Sequence, residues 1–124
     1  MPWTTTKAKA YRLSARNNCN KGETRYAEHL EMLKRAGEII DYKVKPMSIR
    51  LAPRTFCEID FLVVSKEGFL ELHDYKGHME DDAWVKAKVL ADQYWFLKVV
   101  IVREPRRGTY TYEEVLPDRG KKET

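Results

Sequence analysis

Residues 57–77 read CEIDFLVVSKEGFLELHDYKG, and no other stretch of the chain restricts the fold as tightly. Two apolar-rich runs, residues 56–65 and 69–76, flank the short turn Lys66-Glu67-Gly68. Such a pairing around a glycine-bearing turn predicts a β-hairpin. Side chains alternate along a strand, so Asp74 and Lys76 point to one face and His73 and Tyr75 to the other. The turn lies about midway between Asp60 and Asp74, which sets the two carboxylates near one another across the ladder. Carboxylates that close repel unless a cation or a proton intervenes. Their oxygens suit hard divalent cations, and a neighbouring lysine can offset charge on a phosphate or help activate water. The combination points to metal-assisted phosphodiester cleavage. The competing reading is a pair of surface charges at a strand end beside a salt-bridging lysine. Asp41-Tyr42-Lys43 repeats the Asp-Tyr-Lys triplet, but it has no acidic strand at hairpin spacing before it and no glycine after it. The context around Asp74 therefore carries the signal, not the triplet.

Around this hairpin the periodicity supplies the other elements. Tyr26, Leu30 and Leu33 recur at i, i+4, i+7 and predict a helix from about Asn20 to Gly37, with Asn20 as its cap and Gly37 as its stop. Ile39, Ile40, Tyr42, Val44, Met47, Ile49 and Leu51 favour extended chain, with Pro46 marking an edge strand or bulge. Residues 79–95 read as a second helix, with Asp81 and Asp82 near its start. Its apolar stripe comprises Val85, Val89 and Leu90, and Trp84 and Trp95 are expected to pack it. Residues 96–102 form a β-branched run expected to be a buried strand. Tyr110, Tyr112, Val115 and Leu116 could add a short strand or dock on a partner. The order helix, three strands, helix, strand permits an antiparallel meander closed by a crossover. The expected class is α/β, with a mixed central sheet flanked by helices. Three regions follow: a basic arm over 1–19, a core over 20–103 and a polar tail over 104–124.

With 124 residues the chain suits one domain that buries its own core. A formal net charge of +4 is compatible with a polyanionic partner without requiring one. Cys19 and Cys57 form no ligand-spaced pair, which argues against a disulfide framework or a zinc knuckle. No apolar run approaches the roughly 18 residues that a membrane span needs, and the polar start lacks a signal-peptide core. The expected location is the cytoplasm, with no membrane partner. His29 is expected on a helix surface and His73 packed away from Asp74, while His78 could reach a phosphate.

An ordered set of short motifs resembles the PD-(D/E)XK nuclease superfamily, and within it a group of small phage proteins. The motifs are Glu23-Thr24-Arg25-Tyr26 on a helix, Gly37-Glu38-Ile39, Ile59-Asp60-Phe61, Asp74-Tyr75-Lys76-Gly77, and the lysine-bearing Trp84-Val85-Lys86-Ala87-Lys88. They cover about residues 20–102. The resemblance implies a restriction-endonuclease-like αβββαβ core. It implies that Asp60 and Asp74 ligate Mg²⁺ or Mn²⁺ and that Glu23 completes the acidic cluster. It also implies that Lys76 positions or activates the attacking water. Glu23 equally fits a capping box behind Asn20. Lys86 resembles the basic residue often found on the second helix, or is simply a solvated lysine. One departure is that the second acid is Asp74, where glutamate is commoner in the superfamily.

The expectation is a Mg²⁺-dependent DNA endonuclease, phage-encoded and acting in the host cytoplasm on branched DNA as Holliday-junction resolvases do. Catalysis would rest on Glu23, Asp60, Asp74 and Lys76. Lys7, Lys9, Arg12, Arg16, Arg25, Lys86 and Lys88 would contact the DNA, making affinity salt-dependent. A homodimer would supply two sites for paired cuts. The alternatives are a non-catalytic nucleic-acid-binding module with this fold, or a small interaction protein in which the basic balance is incidental.

Overall fold

The computed structural model describes residues 19–77 and 81–118. Among them are two helices and seven strands. These are α1 (Lys21–Arg35), β1 (Ile39–Val44), β2 (Ser48–Ala52), β3 (Thr55–Glu58), β4 (Phe61–Ser65), β5 (Leu70–Lys76), α2 (Asp81–Gln93), β6 (Lys98–Arg106) and β7 (Thr109–Val115). Five strands make a mixed sheet in the order β1-β4-β5-β6-β7, and β2 pairs only with β3. β1, β4 and β5 form an antiparallel meander. α2 then carries the chain over to β6, which runs parallel to β5, and β7 returns antiparallel. The chain is thus an α/β protein. No helix among the described residues is long and apolar enough to cross a membrane.

Alternation along the strands divides the core in two. Phe61, Val63, Tyr75, Val100 and Val102 face α1, where Tyr26, Ala27 and Leu30 meet them. Leu72, Val99 and Ile101 face the other way and pack on Ala87, Leu90 and Ala91 of α2. β6 is buried on both faces, which explains its uninterrupted apolar run.

α1 starts and stops as expected. Asn20 Oδ1 accepts from Glu23 N, and Glu23 Oε1 accepts from Asn20 N, closing a capping box. At the other end Gly37 takes φ 80°, where a glycine costs least, and Glu38 N donates to Leu33 O.

Several expectations are corrected. The strand expected over 56–65 breaks at Ile59-Asp60, so that β3 pairs back on β2 as a separate hairpin and only β4 enters the main sheet. Pro46 lies between β1 and β2, in the connection that separates hairpin from sheet. α2 ends at Gln93, and β6 starts at Lys98 rather than at residue 96. Trp95 therefore falls in a connecting turn and is 53% exposed instead of packing the helix. Val85 and Val89 are exposed as well, because α2 buries its small residues Ala87 and Ala91 beside Leu90. His29 is half-buried against Tyr110, their ring centroids 4.7 Å apart, rather than on an open surface. Glu104–Arg106 extend β6 beyond residue 102, whereas the short strand offered for Tyr110, Tyr112 and Val115 is present as β7.

Candidate active site

The break at Ile59-Asp60 shapes one end of the sheet. β4 pairs with β5 in the register Phe61↔His73, and just beyond the end of that ladder the Asp60 and Asp74 side chains adjoin through a hydrogen bond. Tyr75 N, at 3.0 Å, donates to Asp60 Oδ2 and fixes the carboxyl at the rim. Lys76 Nζ lies 3.3 Å from Asp74 Oδ1. The first turn of α1 brings Asn20, Gly22, Glu23 and Arg25 to the same end, the tip of β3 brings Cys57 and Glu58, and α2 brings Lys86. Together they line an open cleft of about 600 Å³.

The electrostatics follow from this crowding. Burial pushes the Asp60 carboxyl well above the ordinary carboxylate range, and the adjoining Asp74 and the negative charge of Glu23 push it further the same way. The Tyr75 amide opposes the rise without cancelling it. This crowding favours the protonated form of Asp60 unless a cation offsets the surrounding negative charge.

Glu23 holds two roles at once. Its Oε1 caps α1 through Asn20 N at 3.0 Å and lies 3.4 Å from Lys45 Nζ, while the side chain faces the cleft. Among the described residues no three His, Cys, Asp or Glu side chains gather closely enough to cage a metal ion. The donor set that is present, two adjacent carboxylates in an open cleft with Glu23 and Glu58 nearby, is all-oxygen and acidic. Mg²⁺ commonly keeps several waters and binds through one or two carboxylates plus substrate phosphate, so this set fits it or Mn²⁺ without a closed cage.

The expected DNA contacts divide. Lys86 lines the cleft and its Nζ donates to Phe56 O at 3.3 Å. Arg25 also lines the cleft, but its guanidinium is committed inward. Nε and Nη2 each lie 3.0 Å from an oxygen of Glu104. Lys88 lies away from the cleft, 3.5 Å from Asp118. Lys7, Lys9, Arg12, Arg16 and His78 fall outside the described residues.

Glu104 is a residue that motif reasoning misses. It is buried, takes the Arg25 fork, accepts from Tyr75 Oη, and accepts from Gly108 N at 2.8 Å. It thereby ties α1 to β5 directly behind the acid pair. The signal available in the sequence was a lone acid at the end of a β-branched run, set among Arg103, Arg106 and Arg107. Glu58, Cys57 and Lys45 were also missed as neighbours of the acid pair, because they arrive through the separate hairpin and its connection.

The histidine and the duplicate triplet resolve as structure. His73 faces α1, its Nδ1 2.7 Å from Tyr26 Oη and its Nε2 2.9 Å from Glu71 Oε1. Asp41 on β1, separated from β5 by β4, pairs with Lys34 at 3.1 Å, and Tyr42 Oη donates to Glu31. Cys19 and Cys57 are free thiols, both raised in pKa, chiefly by burial.

A scan against protein-family models finds no match to this chain, and a search of curated proteins finds none either.

Proposed function

We propose that the chain is a metal-dependent DNA endonuclease of the PD-(D/E)XK type, hydrolysing phosphodiester bonds in branched DNA. The observation that carries this reading is the adjoining pair Asp60 and Asp74, with Lys76 beside them, in an open cleft. The element order supports it, since a helix, an antiparallel meander, a crossover helix and a parallel strand match the αβββαβ core.

Asp60 and Asp74 would hold Mg²⁺ or Mn²⁺, with Glu23 closing the acidic cluster from α1. The bound cation would polarise the scissile phosphate and lower the pKa of a water. Lys76, beside Asp74, would supply an ammonium to the attacking water and the phosphate oxygens. Tyr75 N keeps the Asp60 carboxyl oriented, and the Glu104–Arg25–Tyr75 network holds α1 and β5 in place behind it. Lys86 offers a cation at the cleft wall for the DNA backbone. A two-fold dimer would supply two such clefts for paired incision.

The test is Mg²⁺-dependent cleavage of supercoiled plasmid and of a synthetic four-way junction. Asp74→Ala and Lys76→Ala should each lower the rate by about a hundredfold or more while leaving the far-ultraviolet circular dichroism unchanged. Variants that cut as fast as the parent would sink the assignment. A second reading, a DNA-binding module without cleavage, draws on the Asp74–Lys76 ion pair, which already neutralises one of the two acids. It prevails if the parent binds a junction but cuts no DNA with either Mg²⁺ or Mn²⁺.

A further inference from the structure

The β2–β3 hairpin stands apart from the main sheet and is bound to the body of the protein on one face only. Ile49, Leu51 and Cys57 pack toward α2. Its backbone is tethered there three times. Gln93 Nε2 donates to Leu51 O at 2.7 Å, Tyr94 Oη to Arg50 O at 3.1 Å, and Lys86 Nζ to Phe56 O at 3.3 Å. The other face points to solvent.

That outer face has an unusual composition for an isolated hairpin. Arg50 is paired across the ladder with Phe56, so the two side chains are neighbours on the same face. Phe56 is 53% exposed and Arg50 is exposed. Arg54 sits in the turn in a left-handed conformation, φ 62°, also exposed. Lys34, Lys43, Lys76, Lys88, Lys98, Arg25 and Arg103 all lie within ion-pair distance of a carboxylate. Among the described residues neither Arg50 nor Arg54 has such a partner. An exposed aromatic ring with one arginine across the ladder and another two residues earlier in the turn offers a stacking surface and phosphate contacts together, which is the chemistry that holds single-stranded nucleic acid.

The hairpin also leads into the cleft. Cys57 and Glu58, directly after Phe56, are part of its wall. Four residue steps lead from Phe56 to Asp60, a span of at most about 14 Å, or roughly four stacked nucleotides. We propose that this hairpin is a DNA-engaging arm: Phe56 stacks on an unpaired base while Arg50 and Arg54 bind the flanking phosphates. The preferred ligand is then DNA carrying unpaired bases near the scissile linkage, such as a flap or an open junction, rather than continuous duplex. The proposal rests on the endonuclease reading for the identity of the ligand.

Binding measured without divalent cations separates the two ideas. Fluorescence anisotropy in EDTA compares labelled 30-nucleotide single strand, continuous duplex and a flap. Phe56→Ala should weaken single-strand and flap binding by roughly five- to a hundredfold and leave duplex binding within about twofold. Phe56→Trp should restore it, with indole fluorescence quenched on titration with unlabelled single strand. Arg50→Ala combined with Arg54→Ala should lower the slope of log affinity against log salt by about two. Equal binding by parent and Phe56→Ala on every DNA overturns the proposal, as does a parent that binds none of them. If the Phe56 effect appears but Mg²⁺ and Mn²⁺ support no cleavage, the arm stands and the endonuclease reading falls. If the parent cuts DNA and all hairpin variants bind and cut alike, the arm falls alone. The substituted side chains are exposed, so unchanged thermal melts are expected and verify that each variant is folded.

Discussion

Glu104 shows how one residue can serve both the stability of the fold and the placement of a site. Burial alone would raise its pKa, but hydrogen bonds from Arg25, Gly108 and Tyr75 outweigh that penalty and hold it at about 2. Because the folded-state pKa lies below the ordinary value of 4.5, the unfolded chain binds more protons between the two. The stabilisation, about 3 kcal/mol at neutral pH, is full above pH 4.5 and drains away as the pH falls toward 2. Urea denaturation of the parent and of Glu104→Gln should therefore differ most at pH 7, and the difference should shrink through that acid window. A difference independent of pH would rule out the ion pair as its source. Gly22 occupies a second tight position. A Cβ there would lie 2.5 Å from Tyr75 Oη and 2.8 Å from its Cε2. The Tyr75 ring cannot easily yield, since its hydroxyl is held by Glu104. Alanine would bring a helix-propensity gain of up to ~1 kcal/mol against an overpacking cost of ~1–3 kcal/mol. Gly22→Ala should thus lower the Tm by several degrees, and a raised Tm would contradict the close approach of α1 and β5.

At the level of elements, β7 is the one whose importance exceeds what its composition suggests. It pairs with β6 from Val99↔Val115 to Arg106↔Thr109, and β6 supplies core residues to both faces of the sheet. Removing β7 would leave the apolar strand β6 at the sheet edge with an open row of backbone donors and acceptors and would uncover Val115's packing site. A chain ended after Gly108 should lose its cooperative unfolding transition, since such losses rival the whole ~5–15 kcal/mol stability of a typical domain. A sharp transition near that of the full chain would refute this. Tyr110, Tyr112 and Val115 hint at the strand, but Thr109–Val115 is mostly exposed and its polar residues leave a docking segment equally open. β4 and β5 were legible for the opposite reason: their alternating apolar residues and the turn at Gly68, φ 94°, all specify one hairpin. What hid the β3–β4 break was Ile59, an apolar residue that continues the strand pattern through the bend but is buried toward α2 instead.

Over the whole molecule, the acid pair was readable because it depends on local register, whereas its surroundings depend on distant segments. Asp60 and Asp74 face one another through a turn of a few residues. Arg25 and Glu104 meet across most of the chain, and no spacing rule connects them. Lys88 illustrates the same limit: the helical period fixes which residues share a face, not where α2 sits over the sheet, and here that lysine lies 3.5 Å from Asp118. The two margins of the main sheet, β1 and β7, carry a further implication. β1 has a register irregularity between Ile39 and Asp41 and displays Lys43, while β7 displays Glu113 and Glu114. Irregular, charged borders of this kind discourage strand-by-strand templating of one molecule on the next, so fibrous self-assembly of the folded protein is held off at both flanks.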